Sequence, residues 1–298
     1  MPDMIRASPN NGKSACMTVF LAIILLALAA WLVPFFYNRW RLNYRRAKPL
    51  SDKQLQLLGQ TLPLYPYLNP QQQGELRGNI ALFLHDKTFV GCEGLQINER
   101  MKVTIAAHAC LLLLGRKNEC YPSLYTLLLY PNTYVARETK REGYIETAKH
   151  SVRAGEAHYR GPVVLSWGDL EENLQYPDRG HNVALHEFAH KVDEEDGHFD
   201  GRPLFERAGE GANWAGVMNR EFTRLRRRAQ FGNLADEAPS VLDLYGAQSP
   251  AEFFAVATET FFTIPVAMQK LHPQLYGELS HFYRLDPATL MSGKPTPV

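Results

Sequence analysis

The stretch that decides the fold is His181-Asn-Val-Ala-Leu-His-Glu-Phe-Ala-His-Lys-Val-Asp193, in which His186, Glu187 and His190 have the spacing H-E-x-x-H. On a helix, positions i and i+4 lie on one face, so two imidazoles can bind one metal ion while the glutamate between them faces a water on it. Apolar residues surround the two histidines, which predicts a buried helix. We therefore predict a zinc site of the hydrolase kind, with three protein ligands and a fourth position for water.

The composition is that of a globular protein and narrows the class of partner. The chain has 298 residues, of which 45% are hydrophobic and 21% are charged, which leaves room for one large domain or two small ones. The formal net charge is +1, and the globular part has no basic stripe beyond Arg224-Leu-Arg-Arg-Arg228. We therefore predict no nucleic-acid partner.

The cysteines indicate a reducing compartment. Cys16 lies in the apolar N-terminal run, and Cys92, Cys110 and Cys120 form no C-x-x-C pair. Three cysteines in the body do not make a disulfide framework of the secreted kind, so we expect them to be small core residues.

The N-terminus contains a predicted transmembrane helix. No residue from Ala15 to Tyr37 is charged, and an apolar run of about 20 residues can cross a bilayer. The preceding flank has only Arg6 and Lys13, whereas the following flank has five cations: Arg39, Arg41, Arg45, Arg46 and Lys48. The positive-inside rule thus predicts one span in the inner (cytoplasmic) membrane, with the catalytic domain on the cytoplasmic side. The alternative is a cleaved signal peptide, because Ala27-Leu-Ala29 resembles a cleavage site.

The chain divides into three predicted segments: 1–37 with the transmembrane helix, 38–62 as a basic juxtamembrane linker, and 63–298 as the zinc metallopeptidase domain. Helical spacing in the last segment predicts helices at Gln71–Lys87, Glu99–Leu114, Trp214–Gln230, Ser249–Phe262 and Gln269–Arg284. Runs typical of strands lie at Leu124–Tyr130 and Gly161–Trp167.

The second strand has two interpretations. In many zinc peptidases an edge strand above the metal helix pairs with the extended substrate, and Pro162–Trp167 precedes the metal helix at a suitable distance. An internal strand without a role in substrate binding fits the same residues equally well. His108, in the apolar helix before these strands, is expected to be a hydrogen-bonded core residue.

Four acids compete for the third ligand position: Asp196, Glu210, Glu221 and Glu252. Asp196 has the metzincin separation from His190, but Asp193 stands where that pattern requires glycine. Glu210 has a thermolysin-like separation, yet glycines flank it on both sides and disfavour a rigid helix. Glu221 lies among arginines that offer it surface partners.

Glu252 shares one face of a strongly apolar helix with Glu259, and two acids on such a helix need a reason to be buried. Ser249-Pro-Ala-Glu252 is also a capping box, in which the glutamate would bond back to the cap. The residues alone therefore leave Glu252 open between ligand and cap.

Five ordered blocks give the chain a family resemblance: Gly91–Leu95, Ile105–Leu114, Gly161–Trp167, His186–Asp193 and Ser249–Ala255. Together, from about Leu62 to Pro287, they resemble the Mlc titration factor A family of zinc-dependent peptidases. The site is also similar to that of the anthrax lethal factor catalytic domain, where a tyrosine precedes the ligand glutamate by seven residues, as Tyr245 precedes Glu252 here.

The resemblance implies that His186, His190 and Glu252 are zinc ligands, that Glu187 is the general base, and that Tyr245 places a hydroxyl near the metal. It also implies a glucose-responsive transcriptional repressor as a partner, and aminopeptidase action, although the segment Gly-x-Met-Glu-Asn of many zinc aminopeptidases is absent. Asp193 and Glu259 are candidates to hold an imidazole N–H from behind, and a surface or capping acid is an equally good interpretation of each.

We therefore predict an α+β, mostly helical fold: a zincin-like metallopeptidase domain with a small sheet, preceded by one transmembrane helix. The predicted function is a membrane-anchored, gluzincin-like peptidase that cleaves a peptide or protein substrate with zinc-bound water activated by Glu187. The alternative is a binding module at the membrane face that sequesters a transcriptional repressor or another regulator, with weak or incidental hydrolysis. The intact H-E-x-x-H argues against a purely non-catalytic scaffold.

Overall fold

The structure is a computed structural model that describes residues 11–116, 120–132, 134–142, 145–153, 155–157, 161–206, 209–232 and 239–293. Two compact units divide the chain, Met1–Lys48 and Pro49–Val298. Arg6, which the topology prediction counts in the N-terminal flank, lies outside the described residues.

The first unit is one long helix, α1 (Asn11–Arg46). From Val19 onward α1 is long and apolar enough to cross a membrane, and its large apolar side chains are exposed, for example Leu26 and Trp31. Apolar side chains on the outside of a helix need an apolar environment. Because α1 lies at the N-terminus, a membrane span and a signal sequence both fit its length and composition.

The second unit is mostly helical, as predicted. Its helices are α2 (Asp52–Thr61), α3 (Pro70–Asp86), α4 (Glu99–Leu111), α5 (Trp167–Gln175), α6 (Val183–Asp193), α7 (Trp214–Phe231), α8 (Pro250–Thr263), α9 (Pro265–Leu271), α10 (Pro273–Tyr283) and α11 (Pro287–Ser292). Short 3-10 turns lie at Tyr65–Tyr67, Pro177–Arg179, Glu194–Asp196 and Leu244–Ala247.

The predicted small sheet is present. Its strands and those of a separate hairpin are β1 (Thr88–Gly91), β2 (Thr126–Tyr130), β3 (Tyr134–Glu142), β4 (Ile145–Arg153), β5 (Gly155–Ala157) and β6 (Val163–Ser166). The four-stranded sheet has the order β1-β2-β6-β5, in which β1, β2 and β6 are parallel and β5 is antiparallel to β6. Strands β3 and β4 pair only with each other among the described residues.

The interpretation of Pro162–Trp167 as a substrate-binding edge strand is wrong. Val164 of β6 lies opposite Leu128 of β2 on one side and opposite Glu156 of β5 on the other. All four residues of β6 are buried. Since neighbouring strands occupy both sides of its backbone, β6 is internal, and among the described strands β1 and β5 are the edges of the sheet.

Helix α6, which carries His186 and His190, is held in the core by aromatic residues on the face opposite these histidines. The ring of Phe188 lies 5.7 Å from that of Phe83 and 5.0 Å from that of Tyr121, and all three side chains are buried. Helix α6 also packs against α8, α4, β5 and β6. This burial fixes the helix and leaves His186 and His190 facing α8.

Two predicted boundaries differ from the structure. The predicted linker covers residues 38–62, but α2 within it buries Leu58 and packs on α4, so residues from Pro49 onward belong to the second unit. The single helix predicted over Gln269–Arg284 is two helices, α9 and α10, that meet at His272. Pro273 has no backbone N–H and cannot continue the preceding helix, which is the physical reason for the break.

Candidate metal centre

A tight turn and a cap set the direction of α6. Gly180, with φ of +80°, has the left-handed conformation that favours glycine, and it turns the chain just before the helix. The side chain of Asn182 then accepts a hydrogen bond from the Leu185 N–H at 3.0 Å, as an N-cap does. One turn apart on the helix that follows, the rings of His186 and His190 have centroids 4.8 Å from each other.

Glu252 reaches the two histidines from the first turn of α8. Its Oε2 lies 3.0 Å from His186 Nε2 and 3.4 Å from His190 Nε2. The hydroxyl of Ser249 caps the helix by accepting from the Glu252 N–H at 3.1 Å, while the Glu252 carboxylate turns away from the cap to the imidazoles. The three side chains offer one ligand atom each, and these atoms all lie within 4.8 Å of one another.

The three rival acids have other partners. Glu210 lies 3.4 Å from an Arg284 nitrogen, and Glu221 lies 2.7 Å from Nδ1 of His272. Asp196 is exposed and accepts from the His198 N–H. Among the described residues, Glu252 is the acid that the fold brings to His186 and His190.

Glu259 contacts His186 on the side of the imidazole ring that faces away from Glu252. Its Oε2 is 3.0 Å from His186 Nδ1, and its Oε1 accepts from the backbone N–H of Asn182 at 2.8 Å. A carboxylate in this position orients the imidazole and leaves Nε2 free for a ligand. The predicted place of Glu259 behind an imidazole thus matches its contacts.

The contacts of Asp193 lie in the loop after α6 and not at an imidazole. Its Oδ2 accepts from the Gly201 N–H at 2.9 Å, and Nδ1 of His190 has no hydrogen-bond partner in the part of the chain that the structure describes. Burial raises the pKa of Asp193 to about 7. Gly201 has φ of +75°, and a Cβ there would lie 2.4 Å from the Pro250 carbonyl oxygen. Asp193 therefore fixes the loop after α6 against the start of α8.

The cluster holds an excess of buried negative charge. Glu187 and Glu259 are almost fully buried, and Glu252 is partly so. Among the described residues, neither Glu252 nor Glu259 has a lysine or arginine partner. Buried carboxylates require compensation by a cation or a proton.

The pKa values show what the acids do to the imidazoles. Burial lowers the pKa of His186, but the Glu259 and Glu252 carboxylates outweigh it and raise that pKa well above its ordinary value. For Glu252, burial raises the pKa, while the hydrogen bonds from His186 and His190 outweigh it, so the net direction is down. A divalent cation would satisfy these groups better than one proton does, and two imidazole nitrogens with one carboxylate oxygen are the donor set of a catalytic zinc site.

Tyr245 lies next to His186 and is partly exposed to solvent. Its ring centroid is 5.9 Å from that of His186, and 48% of the residue is exposed. Asp243 holds the turn by accepting from the Tyr245 N–H at 2.6 Å, and its other oxygen is 3.6 Å from Nε2 of His181. A half-exposed tyrosine ring therefore lies beside the ring of His186.

Sequence reasoning missed two residues at the site. Asn182 both caps α6 and donates to Glu259, and an Asn directly before an apolar helix was a readable cap signal. The ring of Phe199 lies 4.8 Å from that of His190 and is 42% exposed. Phe199 stands in a polar, Gly-containing loop without periodicity, so nothing in the sequence connected it with the site.

Three side chains that could hold a metal ion thus meet beside a buried helix and a small mixed sheet, an arrangement in keeping with the class of metallopeptidases. A family model described as glucose-regulated metallo-peptidase M90 matches residues 37–284. The chain belongs to this family.

The relatives confirm the resemblance to Mlc titration factor A. The Mlc titration factor A of Klebsiella pneumoniae is 30% identical over 229 residues, which cover 76% of this chain and 84% of the relative. That of Escherichia coli is 29% identical with the same coverage. A protein of Synechocystis sp., described as uncharacterized, is 38% identical over 274 residues, which cover 91% of this chain and 98% of that relative. This last match exceeds the length of Pro49–Val298, so it extends into the N-terminal unit.

Proposed function

We propose that the chain is a zinc-dependent metallopeptidase in which His186, His190 and Glu252 bind the metal. The observation that carries the proposal is the convergence of three ligand atoms from two helices that are far apart in sequence. Zinc bound by such a set polarises a carbonyl and lowers the pKa of a coordinated water towards about 7.

The chain's own residues supply the proton transfers and the charge stabilisation. Glu187, buried beside His186, would take a proton from the attacking water and return it to the leaving amine. The Tyr245 hydroxyl would donate to the carbonyl oxygen as it becomes an oxyanion. Glu259 would accept from His186 Nδ1–H and so keep Nε2 directed at the metal.

The small sheet supports a zincin-like, gluzincin-type arrangement. Strand β5 (Gly155–Ala157) is the antiparallel edge of the sheet and packs against α6. We propose that an extended peptide pairs with the open side of β5, which would lay its backbone along the metal helix. Aminopeptidase action remains part of the proposal through the family resemblance alone.

The proposed location is the inner (cytoplasmic) membrane, with α1 as the single span and the catalytic domain on the cytoplasmic side. The arginine-rich end of α1 supports this orientation, because basic residues stay in the cytoplasm. We also propose the functional division into a membrane segment (1–37), a linker (38–62) and a catalytic domain (63–298), with the difference that α2, at the end of the linker, is part of the folded body.

A second candidate is a module that binds and sequesters a regulatory protein. The name of the Klebsiella and Escherichia relatives, Mlc titration factor A, favours it, since it describes the titration of a partner called Mlc. By this analogy the chain would bind a transcriptional repressor at the membrane face, with hydrolysis as an additional or incidental activity.

The test is metal analysis of the full chain after dialysis, together with a peptide-cleavage assay. We expect one zinc per chain in the wild type and a large loss in His186→Ala, His190→Ala and Glu252→Ala. Glu210→Ala and Asp196→Ala are the matched controls, because each removes an acid that the structure places elsewhere. Full zinc in Glu252→Ala with loss in either control would overturn the ligand set.

Glu187→Gln separates catalysis from binding. It should keep zinc and lose about 10²–10⁴-fold in turnover, the contribution typical of a general base. A wild type that binds zinc but cleaves no peptide in a broad fluorogenic library would support the sequestering function instead.

A further inference from the structure

A cavity lies at the N-terminal end of α6, where His181, Asn182 and Leu185 line it. Its volume is about 130 Å³, and none of His186, His190 and Glu252 lines it. The walls are largely apolar and come from several helices, with Leu62, Leu111, Leu185 and Phe262 among them. Nothing in the proposed peptidase mechanism uses this cavity.

The wall contains a buried imidazole with one nitrogen unused. His108 is 2% exposed, and its Nδ1 lies 2.8 Å from the Thr104 carbonyl oxygen. Because a carbonyl only accepts, Nδ1 carries the proton, and burial, which lowers the pKa of His108 to about 4, keeps the ring neutral. Nε2 is therefore a hydrogen-bond acceptor, and no described residue donates to it.

Two amide groups on the same wall are unused donors. The side-chain oxygen of Asn182 accepts from the Leu185 N–H at 3.0 Å, and that of Asn173 accepts from the Val183 N–H at 2.9 Å. These bonds fix which end of each amide is the oxygen, so each NH₂ group is left without an acceptor among the described residues. The cavity thus offers one acceptor and two donors in an otherwise apolar wall.

These features select a hydroxyl group on a compact apolar body. A hydroxyl can donate to His108 Nε2 and also accept from an asparagine amide, which neither a methyl group nor an ammonium can do. An apolar cavity of about 150 Å³ is known to take up benzene, so a cavity of this size suits one six-membered ring. A rigid ring also loses little conformational entropy when it binds.

We propose that this cavity binds a single aromatic ring carrying a hydroxyl group, with the hydroxyl on His108 and the ring between Leu111, Leu185 and Phe262. The phenol has two sources, a free small molecule or a tyrosine side chain of a bound peptide. The rim residue His181 contacts Asp243, which holds the turn of Tyr245, so a peptide at the metal cluster would pass close to the mouth.

The test is calorimetric titration of the full chain in detergent with p-cresol and with toluene, which lacks the hydroxyl. We expect p-cresol to bind about 3- to 10-fold more tightly, the range for one neutral hydrogen bond. His108→Leu should bind both ligands with equal affinity, because it keeps an apolar wall and removes the acceptor. The same preference in His108→Leu as in the wild type would overturn the proposal.

A pair of variants at the mouth controls for folding and for ligand uptake by the detergent. Met291 lines the cavity and is 38% exposed, so it can be changed without disturbing the core. Met291→Trp should abolish p-cresol binding by blocking the mouth, whereas Met291→Ala should retain it. Equal heats in the wild type and Met291→Trp would show that the cavity takes up neither ligand, and the proposal would fail.

A blocked tripeptide with a central tyrosine then distinguishes the two sources. If the tyrosine tripeptide competes with p-cresol and the same tripeptide with phenylalanine does not, the natural ligand is a peptide side chain. Lack of competition, with p-cresol still bound, identifies a free phenol. Both measurements are made on zinc-free protein, so they do not depend on peptidase activity.

Discussion

Glu259→Gln tests whether Glu259 supports metal binding by orienting the imidazole of His186. The Glu259 carboxylate accepts two hydrogen bonds, from Asn182 N–H at 2.8 Å and from His186 Nδ1 at 3.0 Å. A glutamine has only one accepting oxygen, so its NH₂ group must face one of the two N–H donors. Whichever donor loses its partner remains buried, since Asn182 and the rear of His186 are both inside the protein.

The cost follows from the geometry. A buried donor left without an acceptor costs about 1–3 kcal/mol. If the glutamine keeps its oxygen on Asn182, the imidazole loses its orientation, and loss of such support typically weakens metal binding by about 10- to 100-fold. We therefore expect the zinc dissociation constant of Glu259→Gln to rise by that factor, with no ligand removed.

The assay is zinc titration against a chromogenic chelator of known affinity, at constant pH. Glu221→Gln is the matched control, because Glu221 makes the same carboxylate–imidazole contact, 2.7 Å to His272 Nδ1, outside the cluster. Zinc affinity in Glu259→Gln within about threefold of the wild type would refute the reasoning. A loss of equal size in Glu221→Gln would show a general effect on folding.

Three further predictions concern single features of the chain. Tyr245→Phe should keep zinc and lower kcat by about 10²-fold with KM little changed, because the hydroxyl acts only on the oxyanion; an unchanged kcat would assign the oxyanion donor elsewhere. His108 has a pKa of about 4 in the folded protein against 6.5 in the unfolded chain, so its contribution to stability is complete above pH 6.5 and is lost as the pH falls to 4. That contribution is about 3 kcal/mol, and the fall in Tm between pH 6.5 and 4 should be smaller in His108→Leu than in the wild type; equal falls would contradict it. A reporter fused after Val298 should be active in the cytoplasm, and release of a soluble form beginning near Ala30 would instead indicate a signal peptide.

The local chemistry of the site could be predicted from the sequence because it depends on short spacings. His186, Glu187 and His190 are one helical turn apart, so any helix places the two imidazoles on one face. Glu252 and Glu259 are seven residues apart on an apolar helix, which is two turns, and the structure has both on the side that faces α6. Strands β2 and β6 fall within the two segments chosen by β-branched and aromatic residues.

Two features that differ from the prediction do have a local signal in the sequence. Pro273 prevents a continuous helix from Gln269 to Arg284, because a proline inside a helical segment usually marks the start of a new helix. The segment Asp52–Thr61 has a capping box of its own, Ser51 with Gln54, which indicates a helix and not a linker.

Other features depended on contacts between distant parts of the chain, and no local pattern contains them. Residue chemistry alone left four acids as the possible third ligand, and only the resemblance favoured Glu252. Its contact with the imidazoles exists because α8 packs against α6, whereas Glu210 and Glu221 contact Arg284 and His272. Strand β6 became internal because β5 pairs with its free side, and periodicity cannot show which strands are neighbours. The cavity beside His108 is lined by residues from several helices that are far apart in the sequence. Only the tertiary structure decides whether their side chains fill the space between the helices, because the packing depends on the shapes of side chains from distant segments.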